Sequence, residues 1–205
     1  MKFYLTCLFV VIWCSQGMAQ NNYVYINWDI NKPLTNTEWV ESTSTRGGKV
    51  GYRFFFTEHR KFSLGVDYSW TSFEEYAPTQ TFVNGSTAIT TDYLKFVYQS
   101  ALAISGQYYL NGGKSDWFFP YAGLGMGVNR NRYVMNFNVY SNEDKTFGFL
   151  ARPELGLLAK FGRDRNVGVM AAMHYDYASN KSEDFDYKRF TSMGFQVGVF
   201  FMNRY

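Results

Sequence analysis

Between positions 61 and 71 the chain reads KFSLGVDYSWT, so that Phe62, Leu64, Val66, Tyr68 and Trp70 alternate strictly with Ser63, Gly65, Asp67, Ser69 and Thr71. A period of two places every second side chain on the same side of an extended strand. One face of this segment is therefore greasy throughout, and the other is small or charged. The same alternation recurs in 23–30, 48–56, 93–110, the stretch PYAGLGMGV, 147–161, 167–177 and 194–205, which makes eight candidate strands. Two of these carry a competing signal. The centre of 93–110, SALAIS, reads equally as helix, and Pro153 within 147–161 removes a donor that a ladder needs.

Short polar links at 57–60, 111–117 and 162–166 alternate with longer connections at 31–46, 72–92, 133–146 and 178–189. This is the spacing of an up-and-down antiparallel meander with short turns on one rim and long loops on the other. Aromatic residues make up 20% of the chain, and only four prolines interrupt it. That is a β composition with an unusual number of rings to place.

Volume fixes which face points inward. The interior of an eight-stranded barrel is just wide enough to be filled by side chains, and the apolar face carries several Phe, Tyr, Trp or Leu residues on nearly every strand. These cannot all fit inside. The opposite face offers Gly, Ser and the charged set Asp29, Lys49, Arg53, Asp67, Lys95, Arg152, Glu154 and Asp176, with His174 among them. Acids and bases in that set are balanced, as a closed, paired polar network requires. The greasy face is therefore expected to meet lipid, with Trp28, Tyr68, Trp70, Trp117, Phe119, Tyr175, Tyr177 and Tyr205 as candidates for interfacial aromatic girdles.

The N-terminus reads as a secretory leader: Lys2, then an apolar stretch from Phe3 to Trp13, then small residues ending at Gly17 and Ala19. The stretch is too short for a membrane helix. The expected division is a leader over 1–19 and a single barrel domain over 20–205. Cys7 and Cys14 both fall in the leader, so the rest of the chain carries no disulfide or thiolate site. Trp13 is too bulky to precede a lipid-modified Cys14. The formal charge of +3 comes with no clustered basic face, so no nucleic-acid partner is expected.

Taken together, the leader, the eight alternating segments, the turn pattern, PYAGLGMGV followed by RPELGLL, and the terminal GFQVGVFFMNRY resemble the small eight-stranded outer-membrane barrels of Gram-negative bacteria, the outer membrane protein A and X type. The resemblance implies an all-β, eight-stranded antiparallel transmembrane barrel with short periplasmic turns and longer extracellular loops. It also implies that the last strand, through Gly194, Phe195, Val197, Val199, Phe201 and Tyr205, is the signal read by the barrel-assembly machinery. Outer-membrane lipid and lipopolysaccharide would be its surroundings, with Arg130, Arg132, Lys188 and Arg189 as candidate contacts to lipopolysaccharide phosphates.

For function the resemblance is loose, because such barrels carry many roles. A non-enzymatic structural or surface-interaction role, through loops that meet an unknown extracellular ligand, is the leading expectation. A narrow channel or carrier for small molecules is the alternative, and a lipid-modifying enzyme a further one. Lipid-modifying barrels use a His with a Ser on the outer surface. His174 and Asp176 face the lumen by parity, and HYDYASN places no Ser two residues after the His. No catalytic or cofactor residues are assigned. The acidic stretches 141–145 and 182–186 lack the ordered ligand spacing of a calcium loop, so no metal site is assigned either.

Overall fold

The computed structural model describes residues 21–56, 61–84, 87–111, 117–137, 140–162, 165–182 and 188–204. The leader over 1–19 and Tyr205 lie outside them. Eight strands follow one another in chain order: β1 (Asn21–Pro33), β2 (Ser44–Phe55), β3 (Phe62–Asn84), β4 (Thr87–Tyr109), β5 (Phe118–Phe137), β6 (Tyr140–Lys160), β7 (Val167–Ala178) and β8 (Phe190–Arg204). Each pairs antiparallel with its neighbours, and β8 pairs with β1, so the wall closes as the resemblance implies.

The wall is staggered. Following paired residues from Val24 through Tyr52, Val66, Ile104, Met126, Ala151 and Tyr177 leads to Thr191 on β8, ten residues away from Phe201, the partner of Val24 itself. A stagger of this kind goes with strands tilted against the barrel axis, and closure leaves no sheet edge along the wall. Both uncertain segments are strand. SALAIS lies within β4, with Leu102 and Ile104 outward and exposed and Ala101 and Ala103 buried inside. Pro153 sits outward on β6. Its ladder to β5 is continuous, but on the β7 side the pairing passes from Ala151↔Tyr177 to Glu154↔His174 and skips Arg152 and Pro153.

Outward positions carry the apolar band: Val24, Ile26, Trp28, Val66, Tyr68, Trp70, Met126, Val128, Leu155, Met173 and Phe195 are all exposed. Trp117 and Tyr175 are exposed as expected of girdle residues, and Tyr177 is half-buried. Phe119 is not among them. It is fully buried inside the barrel, because it stands one residue out of phase with Ala122 and Leu124, and Phe118 takes the outward place.

The end of the barrel carrying the short turns is here called lower and the other upper. The upper connections expected over 72–92 and 133–146 are not loops for most of their length. β3 and β4 remain paired up to Asn84↔Thr87, and β5 and β6 up to Phe137↔Tyr140, so these strands rise past the rim as hairpins. The threonine-rich β3–β4 segment supplies β-branched residues that favour this continuation.

The β1–β8 seam is tight. A Cβ built on Gly198 would lie 2.0 Å from the carbonyl oxygen of Ile26. Gly198→Val is expected to prevent closure, seen as loss of the heat-modifiable band that folded barrels give in gel electrophoresis.

Candidate functional site

The lumen is the place where this fold concentrates chemistry, and it is filled in three tiers. The lowest is aromatic. Tyr23, Tyr25, Phe55, Tyr109, Phe119, Tyr121 and Phe200 are buried at inward positions near the short turns, with Leu158, Met170 and Met202 between them. Ring centroids stand 5.2 Å apart for Phe55 and Tyr109, 5.7 Å for Tyr23 and Phe55, and 6.0 Å for Tyr23 and Phe200, with tilted or edge-on planes. Such geometry is the favourable one for aromatic pairs. Each hydroxyl finds a polar partner above it: Tyr23 donates to Gln107 Oε1 at 2.6 Å, and Tyr121 to Glu154 Oε1 at 2.5 Å.

The middle tier is ionic, and eight of the nine polar residues expected inside meet there. Lys49 pairs with Glu154, whose Oε2 also accepts from Gln196 Nε2 at 2.7 Å. Arg53 Nη2 donates to Asp67 Oδ2 at 2.7 Å, and Asp67 accepts further hydrogen bonds from the hydroxyls of Tyr25 and Ser105. Arg152 grips Asp176 with two parallel bonds of 2.6 and 2.5 Å and reaches Ser69 Oγ at 3.0 Å. His174 lies between two carboxylates, with Nδ1 3.0 Å from Asp176 and Nε2 2.9 Å from Asp29.

Charge balance explains why the set is complete. Lys49, Arg53 and Arg152 stand against Asp29, Asp67, Glu154 and Asp176, which leaves one carboxylate over. His174, held between two of those carboxylates, is the group placed to balance it. A proton on each ring nitrogen would satisfy both carboxylate acceptors. Both ring nitrogens are therefore engaged by carboxylates. The central gap, lined by Lys49, Arg53, Asp67, Ser105, Arg152 and Glu154, has a volume of about 10 Å³. That is the room of a single water. Among the described residues Arg53 Nε and Nη1 have no hydrogen-bond partner, and Arg53 lines this gap.

Lys95 is the ninth residue, and it stands apart. It lies at the upper mouth, where its ammonium donates to the Glu38 carbonyl at 3.0 Å and sits 5.1 Å from the Trp39 ring and 5.4 Å from Tyr93. It belongs to the third tier, which alternation did not reveal. Here asparagines link across the lumen: Asn129 Nδ2 donates to Asn131 Oδ1 and Asn180 Oδ1, both at 2.8 Å. Above them the connection 34–43 folds inward and buries Val40 among Phe73, Val97, Tyr133, Ala178 and Phe190, with Trp39 alongside. Asn36, at φ 58°, makes the sharp turn, and asparagine tolerates that left-handed region better than most residues. The cap is tied down on both sides. Thr35 Oγ1 accepts from the Thr191 amide at 2.8 Å, Asn36 Nδ2 donates to the Arg189 carbonyl at 2.9 Å, and the Ser42 amide donates to Glu75 at 3.0 Å.

The remaining candidate residues lie on the outside. Arg130 and Arg132 are exposed on β5, whereas Lys188 and Arg189 are exposed ahead of β8, beyond β7, so the four do not form one group. On β8, Phe195, Val197 and Phe201 are exposed and outward, Val199 is half-buried, and Gly194 is turned inward against His174.

Truncating one partner of a buried ion pair strands the other charge, at a cost of about 3–5 kcal/mol. Glu154→Ala, which deprives Lys49, Gln196 and Tyr121 of their acceptor, is expected to lower unfolding stability in urea by that order. Phe118→Ala on the outer face should change it far less.

No protein-family model matches this chain, and no curated protein matches it in sequence. Among solved structures, neisserial surface protein A superposes with a TM-score of 0.56 at 15% identity, covering 88% of this chain and 96% of that one. The attachment invasion locus protein Ail of Yersinia pestis gives 0.49 at 11%, covering 89% and 97%. The outer membrane protein OprG of Pseudomonas aeruginosa gives 0.48 at 14%, covering 93% and 99%. In fold, this chain is a closed eight-stranded antiparallel barrel of the small outer-membrane type that neisserial surface protein A adopts.

Proposed function

We propose that the protein is an integral outer-membrane barrel with a sealed lumen. It is exported by the leader over 1–19 and assembled through its last strand. Its work is structural or at the cell surface, through the hairpins that rise above the rim. The observation that carries this reading is the central ionic tier, in which Lys49, Arg53 and Arg152 are buried and paired with Glu154, Asp67 and Asp176 inside the lumen, an arrangement that supports a plugged barrel. The aromatic tier below and the tethered cap above close the same axis twice more. The exposed apolar band matches what lipid requires of a barrel exterior, and the polar, charge-balanced interior matches what a narrow lumen requires. The short turns then face the periplasm and the hairpins face outward.

The protein is further inferred to be no enzyme. His174 is the strongest acid–base candidate on chemical grounds, yet each of its nitrogens is held by a carboxylate. Asp176, its neighbour, is engaged by both arms of Arg152.

In planar bilayers the purified protein is expected to give no steady single-channel steps. Regular steps that persist in the wild-type chain would establish a conducting lumen and overturn the sealed reading. Lipid A from cells with and without the protein is expected to have the same mass spectrum, and an acyl difference abolished by His174→Ala would make it an enzyme.

A further inference from the structure

On β5 the outward residues Leu124, Met126 and Val128 are apolar, and the next two outward positions are Arg130 and Arg132. On β6 the outward residues Phe149 and Phe147 are followed upward by Lys145. Cations thus begin on both strands of one hairpin where the apolar band ends. Arg132 and Lys145 are direct partners across the ladder, and Arg130 is the direct partner of Phe147. Like charges directly opposite on a sheet are destabilising, so this arrangement works against the free protein.

Glu143 relieves part of the repulsion. It accepts from Arg132 at 2.6 Å and from Lys145 at 2.5 Å, and those hydrogen bonds, Arg132's first, hold its carboxyl down to about 2. Among the described residues, one carboxylate against three cations leaves a surplus of positive charge. Arg130 has no carboxylate partner among the described residues; its guanidinium lies 5.7 Å from the Phe147 ring. That of Arg132 lies 5.7 Å from the ring of Tyr98. An aromatic ring thus stands beside each guanidinium at cation–π distance. Elsewhere on the rim, Arg46 is matched one to one by Glu74 at 2.6 Å and leaves no such surplus.

We propose that Arg130, Arg132 and Lys145 form a binding site for the phosphorylated headgroup of an outer-leaflet lipid, whose acyl chains lie along Val128, Phe149 and Phe147. The inference rests on the membrane reading above and deepens it by naming a lipid class and its site. Guanidinium groups match phosphate oxygens in paired, charge-assisted hydrogen bonds. An ammonium beside them adds a point charge of the same sign. Below the cations the wall is apolar, so one molecule that is anionic at one end and greasy at the other satisfies both halves. A soluble phosphate satisfies only the upper half.

The test uses the full barrel in zwitterionic detergent and measures binding of bisphosphorylated lipid A, of dephosphorylated lipid A and of inorganic pyrophosphate. Bisphosphorylated lipid A is expected to bind at least about tenfold more tightly than the dephosphorylated form, the scale of one charge-assisted hydrogen bond. Arg130→Glu with Lys145→Glu should abolish that preference, and the milder Arg130→Gln with Lys145→Gln should reduce it while keeping the heat-modifiable band. Equal binding of the two lipids overturns the proposal, as does an unchanged preference in a folded variant. Full competition by pyrophosphate would show a soluble-anion site and overturn it too. A chain that does not insert into phosphatidylcholine bilayers at all overturns the membrane reading itself, an outcome distinct from the others.

Discussion

The neutrality of the middle tier is the constraint on which the rest of the structure depends. A barrel this narrow places the inward side chains of opposite strands within reach of each other, and an ion taken from water costs several kcal/mol unless it is paired and hydrogen-bonded. Lys49–Glu154, Arg53–Asp67 and Arg152–Asp176 join β2 to β6, β2 to β3 and β6 to β7. His174 then ties β7 to Asp29 on β1. Lys49–Glu154 and His174–Asp29 cross between strands far apart in sequence, while the other two pairs join neighbouring strands, so the full set forms only in one register. A slip by one residue would turn the whole charged set outward and the apolar set inward. The network therefore stabilises little on balance but selects one arrangement of the wall strongly.

The upper and lower tiers answer a different physical demand. Near the short turns the inward positions are rings whose hydroxyls point toward the polar centre, so Tyr23, Tyr109 and Tyr121 join an apolar seal to a hydrogen-bonded middle. Near the mouth, asparagine and threonine side chains take over, and the cap completes the seal with Val40. Polarity thus rises from the bottom to the centre and is closed over at the top.

Much of this was legible in the sequence because period two is a strict rule, and residue type was a poorer guide than parity. Asp29, Asp67, Arg152 and Asp176 all stand at positions where alternation places them. Phe119 was misassigned to the exterior because it is aromatic, although its phase against Ala122 and Leu124 puts it inside. The same phase marks Tyr23, Tyr25, Phe55 and Phe200, so the aromatic tier was present in the pattern and obscured by composition. Other features had no local signal. Val40 lies in a polar connection, and its burial depends on residues from five strands. Lys95 fits the inward phase of β4, but its height on the strand decides that it meets Trp39 rather than a lumen carboxylate. The height of the two hairpins is hidden because threonine and asparagine read as loop, whereas the backbone pairing continues, with one register shift between Ala77 and Gln80.

The cap also has a consequence for what the protein can change. Its residues are tethered: Thr35 and Asn36 to the start of β8, Ser42 to β3, Val40 to the mouth. A substitution of Val40 touches residues of five strands at once. The β3–β4 hairpin above Tyr76 is joined by main-chain pairing up to Asn84↔Thr87. Substitutions are therefore expected to be tolerated better on that hairpin than in the first connection. The surface seen from outside is thus divided into a part free to drift and a part that is not.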